Sequence, residues 1–201
     1  MKSKLLLLVV LGLALPLAAF ADTETFSSTG GTLTGSSQGF VLTDAELTSF
    51  AGPNGTITGD LGTVNFQTNL LGNANIVMGG PFDPGGTITI TGNGTDGIGT
   101  GVLFSGTFDQ GGTWTVTTLP DGTNQYVLSA EVSGQVGSSG AIGQYMYYLN
   151  TGDTYFYGNL TSPAATSSTT LSVPEPGQLS LLGTGLLGLM GAIRRKMKVQ
   201  G

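Results

Sequence analysis

TWTVTTLPDGTNQYVLSAEVSG, Thr113 to Gly134, is the stretch on which the fold reading turns. Trp114 and Val116 alternate with Thr113, Thr115 and Thr117, and Tyr126, Leu128, Ala130 and Val132 recur at every second position. A period of two sends one set of side chains toward a core and the other toward solvent, the pattern of a half-buried strand. Pro120-Asp121-Gly122 between the halves is a turn signal, because proline presets its φ, aspartate bonds its own backbone and glycine accepts positive φ.

The same pattern recurs on both sides. Strand-like runs are GFVLT (39–43), TVNFQ (63–67), NIVM (75–78), TITIT (87–91), GVLFSGTF (101–108), YMYYL (145–149) and TYFYGNL (154–160). Turn signals separate them: PNG (53–55), DPGG (83–86), NGTDG (93–97), DQGG (109–112) and NTGD (150–153). Only DAELTSF (44–50) reads as helical, opening on an N-cap candidate. With 35 glycines and 9% charged residues, few strong helix formers remain. Short strands joined by polar turns predict an all-β, antiparallel body, a β-sandwich or jelly roll.

The charges are distributed unevenly. Lys2, Lys4, Arg194, Arg195, Lys196 and Lys198 are the six basic residues, and all lie near a chain end. From Asp22 to Val173 there are eleven carboxylates and no Lys, Arg, His or Cys. Nucleic acid is excluded as a partner, since neutralising phosphates requires cations. Disulfides, thiolate zinc sites and Ser-His-Asp catalysis are excluded by composition. The expectation is a non-enzymatic body with no cofactor.

Both ends read as addresses. Lys2 and Lys4 precede an apolar run, and Ala19-Phe20-Ala21 is a small-x-small cleavage site before Asp22, so residues 1–21 predict a signal peptide cut by signal peptidase. The body follows at 22–160. A Ser/Thr-rich segment at 161–172 reads as a linker open to O-glycosylation. Residues 173–201 hold Val173-Pro174-Glu175-Pro176, an uncharged apolar run at 178–193 and a basic tail at 194–201. The run predicts a single transmembrane helix, and Arg194, Arg195 and Lys196 predict a cytoplasmic end.

That tripartite tail resembles the PEP-CTERM sorting signal of Gram-negative bacteria. The resemblance implies recognition by an exosortase, a membrane Cys transpeptidase, with cleavage near the Pro-Glu-Pro motif. It also implies transient insertion in the inner membrane, then release or transfer to the cell surface or outside the cell. Trp114 to Leu128 resembles a pattern in the bodies of other such proteins, W-T-x-T-T-L-P-x-G-T-x-x-Y-x-L, which implies a secreted all-β domain. The function expected is a structural or adhesive protein of the surface or extracellular matrix, associated with exopolysaccharide or biofilm.

Other motifs compete with that reading. Tyr145, Tyr147, Tyr155 and Tyr157 could form a row that stacks on sugar rings, giving a carbohydrate-binding module as the alternative. A carboxylate pair could make a glycan-active enzyme, a further alternative. Asp96, with Asp83, Asp109 or Asp121, could hold Ca²⁺ if the loops meet. The G-x-G-x-x-G matches at 92–97 and 183–188 lack a strand-then-helix context and read as a turn and part of the apolar run.

Overall fold

The computed structural model describes residues 21–69, 75–162 and 165–174. The expected signal peptide up to residue 20, Glu175, Pro176, the span at 178–193 and the basic tail lie outside them. Eleven strands follow in order: β1 (Ala21–Thr29), β2 (Thr32–Ser36), β3 (Gly39–Gly52), β4 (Gly55–Thr68), β5 (Gly80–Phe82), β6 (Gly86–Asn93), β7 (Thr100–Thr118), β8 (Asn124–Val136), β9 (Ser139–Asn150), β10 (Asn159–Thr161) and β11 (Thr166–Pro174). Among the described residues there is no helix.

The opening stretch forms the hairpin β7–β8, with Trp114 opposite Leu128 and Val116 opposite Tyr126. Its turn is closed by Asp121, whose carboxylate accepts from the Thr123 amide at 2.9 Å and hydroxyl at 2.7 Å. Each main strand then pairs with its neighbour in sequence, through β3, β4, β6, β7, β8, β9 and β11. β11 meets β1, and β1 returns to β3, so eight strands close an antiparallel barrel. β2 continues the line of β1 along β3, β10 pairs with β2, and β5 adds to the far half of β7.

A barrel replaces the expected sandwich or jelly roll. Alternation fixes which side chains point inward, but a second sheet or the same sheet curled round can supply the facing layer. Here the sheet curls. Tight coiling brings backbones together where there is no side chain: a Cβ on Gly143 would run into the Thr170 carbonyl, and one on Gly134 into the Ser105 carbonyl. Bulges add bend. DQGG, expected as a turn, is such a bulge inside the continuous β7, where Glu131 alone spans the gap between Phe108 and Gly112.

Four other expectations change: of TYFYGNL (154–160) only Asn159 and Leu160 are strand, in β10, and the rest is loop. DAELTSF is part of strand β3, and its N-cap candidate Asp44 sits at φ 55° in a bulge with its amide held by Asn65 Oδ1 at 2.9 Å. NIVM is a turn, closed by reciprocal Asn75–Gly79 bonds of 3.1 and 2.7 Å. Most of the supposed linker at 161–172 is barrel wall, since β11 runs from Thr166 to Pro174 and pairs with β9 from Thr166↔Tyr148 to Ser172↔Ile142.

The interior is packed with aromatics. Phe66 meets Phe108, Tyr145 and Tyr147 edge-on, at 6.1, 5.3 and 6.0 Å between centroids. Full burial of one such side chain is worth about 1.5–3 kcal/mol, and a well-oriented aromatic pair adds about 0.5–1.5 kcal/mol. With no cation or cysteine between Asp22 and Val173, ion pairs and disulfides contribute nothing to that unit. Apolar burial and the strand ladders hold it. The outer wall is mainly polar, with Thr87, Ser105, Thr107, Thr113, Thr115 and Thr117 facing solvent, although Val102 and Ile142 are also exposed on it. A barrel that spans a membrane has the opposite arrangement, apolar outside and polar within.

Candidate functional site at the barrel seam

The barrel closes where β1 meets β11. The Thr25 and Thr170 hydroxyls are 3.5 Å apart, those of Ser28 and Ser167 are 2.6 Å apart, and the Ala165 carbonyl accepts from Gly30 N at 2.9 Å and Thr29 Oγ1 at 3.0 Å. One strand's number rises as the other's falls, so continuing the register brings Asp22 level with Val173. Thr23, Thr170, Leu171 and Ser172 accordingly line one shallow groove. The two ends of the barrel chain therefore leave side by side from one rim.

β11 forms because alternate residues fill the interior. Ser167, Thr169, Leu171 and Val173 are buried, while Thr166 and Thr170 face out. Val173, the first residue of the expected sorting motif, is thus a wall residue, and Pro174 is the last residue of the strand. Of the expected cleavage residues, Ala21 and Asp22 lie at the start of β1, and Ala19 is outside the described residues. Glu175, Pro176, Arg194, Arg195 and Lys196 are also outside them. Next to Asp22, burial first and the Asp22 charge second push the Glu24 carboxyl above the usual carboxylate range. Glu24 faces a groove shared with Phe50, Ile98 and Leu103.

The tyrosine row does not assemble. Tyr145 and Tyr147 are 0% and 1% exposed in the barrel interior, so they cannot stack on a sugar from solvent. Neither hydroxyl has a hydrogen-bond partner. Burial raises both phenols far above their ordinary range, and the nearby Ser167 hydroxyl tempers the rise at Tyr145. Tyr155 and Tyr157 stay exposed, at 40% and 75%, with Phe156 buried between them.

The acidic candidates also stay apart. Among the described residues no three acidic side chains come together as metal ligands. Asp96 occupies the β6–β7 turn at φ 52°, a geometry aspartate tolerates. Asp109 and Glu131 do line one groove on the outer wall with Ile142, Gln144 and Ser172. Both are exposed there, whereas a glycoside-cleaving pair needs one acid kept protonated by an apolar pocket.

At the rim away from the seam ends, Trp114 stacks on Tyr126 at 5.0 Å and 20°. Trp114 Nε1 donates to the Ile76 carbonyl at 2.9 Å, and Tyr126 Oη donates to that of Val77 at 2.8 Å while accepting from Phe156 N at 3.1 Å. These two rings pin the loops over the barrel end. The alternation marked them as core; their polar ends, which buried Trp and Tyr must satisfy, were the available sign of a further role.

Residues 172–196 match the family model of the PEP-CTERM protein-sorting motif, so the chain carries that motif. The match implies export through the membrane to the cell surface, with processing by an exosortase. No curated protein and no solved structure is significantly similar to the chain.

Proposed function

We propose that the chain is a non-enzymatic surface or extracellular-matrix protein, delivered by its two terminal addresses and retained outside the cell for a structural or adhesive role beside exopolysaccharide. The observation that carries this reading is the direct join of the PEP-CTERM match, which begins at Ser172, to a closed barrel that ends at Pro174. A self-contained barrel with a mainly polar outer wall, free of His, Cys, Lys and Arg, suits a load that is carried and displayed. Signal peptidase acts at the N-terminal address and an exosortase at the other.

The test compares the full chain with a chain ending at Pro174 in an exosortase-bearing host, by immunoblot of membrane, surface and medium fractions. The truncated chain should lose surface delivery while staying folded. Identical distribution of the two sinks the sorting role.

A second reading, sugar binding, rests on Tyr155 and Tyr157, exposed on the loop after β9. Glycan-array binding that disappears in the Tyr155→Ala/Tyr157→Ala variant supports it, and binding unchanged by those substitutions removes it.

A further inference from the structure

We infer that the pocket beside Glu24, at the rim of the barrel, is a binding site for a small primary amine with an apolar body. The site is separate from the sorting signal and does not depend on it. β1 sends alternate residues inward: Phe26 and Ser28 are buried, and Glu24 lies on the same face. Glu24 stands one residue before Thr25, where the pairing with β3 begins. The other side chains around the pocket are apolar: Phe26 from β1, Phe50 from β3, Ile98 from the β6–β7 turn, Leu103 from β7 and Val136 from β8. The cavity is about 160 Å³, close in size to one that holds a benzene ring and below the range of drug-sized sites.

A carboxylate turned toward an apolar interior is costly unless a cation or donors meet it. From Asp22 to Val173 the chain holds no cation to do so. Burial, and then the charge of Asp22, raise the Glu24 pKa, and an ammonium beside it offsets both. The Phe26 and Phe50 rings, 4.9 Å apart between centroids, add apolar contact and cation–π attraction. Eleven carboxylates on the body draw cations toward it. A neutral ligand of the same shape gains only the apolar contact, and an anion is repelled. Three strands besides β1 and one turn ring the pocket, so it suits a free molecule better than a side chain on another protein's surface. An inward charge that breaks the alternation of a strand is the kind of local inconsistency that marks functional sites.

The test is methyl NMR of the full-length chain in a non-ionic detergent, titrated with benzylamine. The Ile98, Leu103 and Val136 methyls should shift saturably, and those of Ile76 and Val77 at the other rim should not. Benzyl alcohol, the same shape without the charge, should bind at least about tenfold more weakly, and Glu24→Gln should weaken benzylamine by a similar factor. A Cβ on Gly99 meets only Leu103 Cδ2, at an ordinary contact of 3.5 Å. Gly99→Phe is therefore compatible with the fold, places a ring in the pocket and should abolish the shifts. Equal affinity for benzylamine and benzyl alcohol overturns the inference, as does benzylamine binding unchanged by Glu24→Gln. So does the absence of any saturable shift. Tighter binding of a lysine-containing peptide than of benzylamine also overturns it, by making the occupant another protein's side chain. The comparison of the two ligands on the unaltered chain decides the matter even where a variant fails to fold.

Discussion

Ser28 and Ser167 stand 139 residues apart in the chain and share a 2.6 Å hydrogen bond inside the barrel wall, where β1 meets β11. Both are buried. Removing one hydroxyl strands the other without water, which costs about 1–3 kcal/mol, while removing both leaves nothing stranded. Ser28→Ala and Ser167→Ala should each lower the unfolding free energy in urea by about 1–2 kcal/mol. The double variant should be no worse than either single one. A double variant whose loss equals the sum of the singles would show that the two hydroxyls do not depend on each other.

The seam also sets where the chain can be shortened. A chain ending at Pro174 keeps β11 and should melt cooperatively. One ending at Ala165 loses β11, so β9 and β1 become unpaired edges and the interior opens. We expect the shorter chain to lose its cooperative thermal transition by circular dichroism and to aggregate. A sharp melt from the Ala165-terminated chain would mean that β11 is dispensable.

That result bears on how much the sequence discloses. Trp114 to Val132 reads correctly as two strands and a turn because its inward residues are apolar and its turn is specified by Asp121 and Gly122. β11 reads as a linker because two of its inward residues are Ser167 and Thr169, whose hydroxyl chemistry looks exposed until Ser28 is placed opposite. Asp44 reads as an N-cap because aspartate suits both helix starts and positive φ. Tyr145 and Tyr147 share one face of β9, as alternation requires, but alternation alone does not say which face is inside. Barrel closure depends on pairing residues about 140 apart in the chain, which local periodicity does not encode. The sorting residues were legible because they form a linear signal, contiguous along residues 172–196.

Tyrosine hydroxyls supply a contrast within one core. Those of Tyr145 and Tyr147 have no partner, whereas that of Tyr126 bonds both Val77 O and Phe156 N. Tyr145→Phe and Tyr147→Phe should therefore be neutral or stabilising, by up to about 1 kcal/mol, since each removes an unsatisfied buried group. Tyr126→Phe should cost about 1–3 kcal/mol and loosen the loops it pins. Urea unfolding measures all three, and hydrogen exchange at Phe156 reports the loop. Destabilisation by Tyr145→Phe as large as that by Tyr126→Phe would place a hydrogen-bond partner on Tyr145.

The response to pH follows from a body with eleven carboxylates and no cation. Mutual repulsion weakens as carboxylates protonate. Glu24 acts in the same direction. Its folded pKa is raised, by burial and then by Asp22, so the folded state holds the proton more tightly than the unfolded chain. Its contribution is fully present below the ordinary glutamate value and is lost as pH rises through the folded value. Asp121 has the opposite sign: amide and hydroxyl bonds from Thr123 lower it, so its contribution holds above the ordinary aspartate value and fades as pH falls through the lowered one. Asp121 is exposed, so its effect is small and confined to strong acid. Tm should therefore rise as pH falls from about 7 to about 5, and added salt at neutral pH should raise it by screening. Glu24→Gln should flatten part of that rise. Scanning calorimetry across this range decides the matter, and a Tm that falls on mild acidification contradicts both the repulsion and the role given to Glu24.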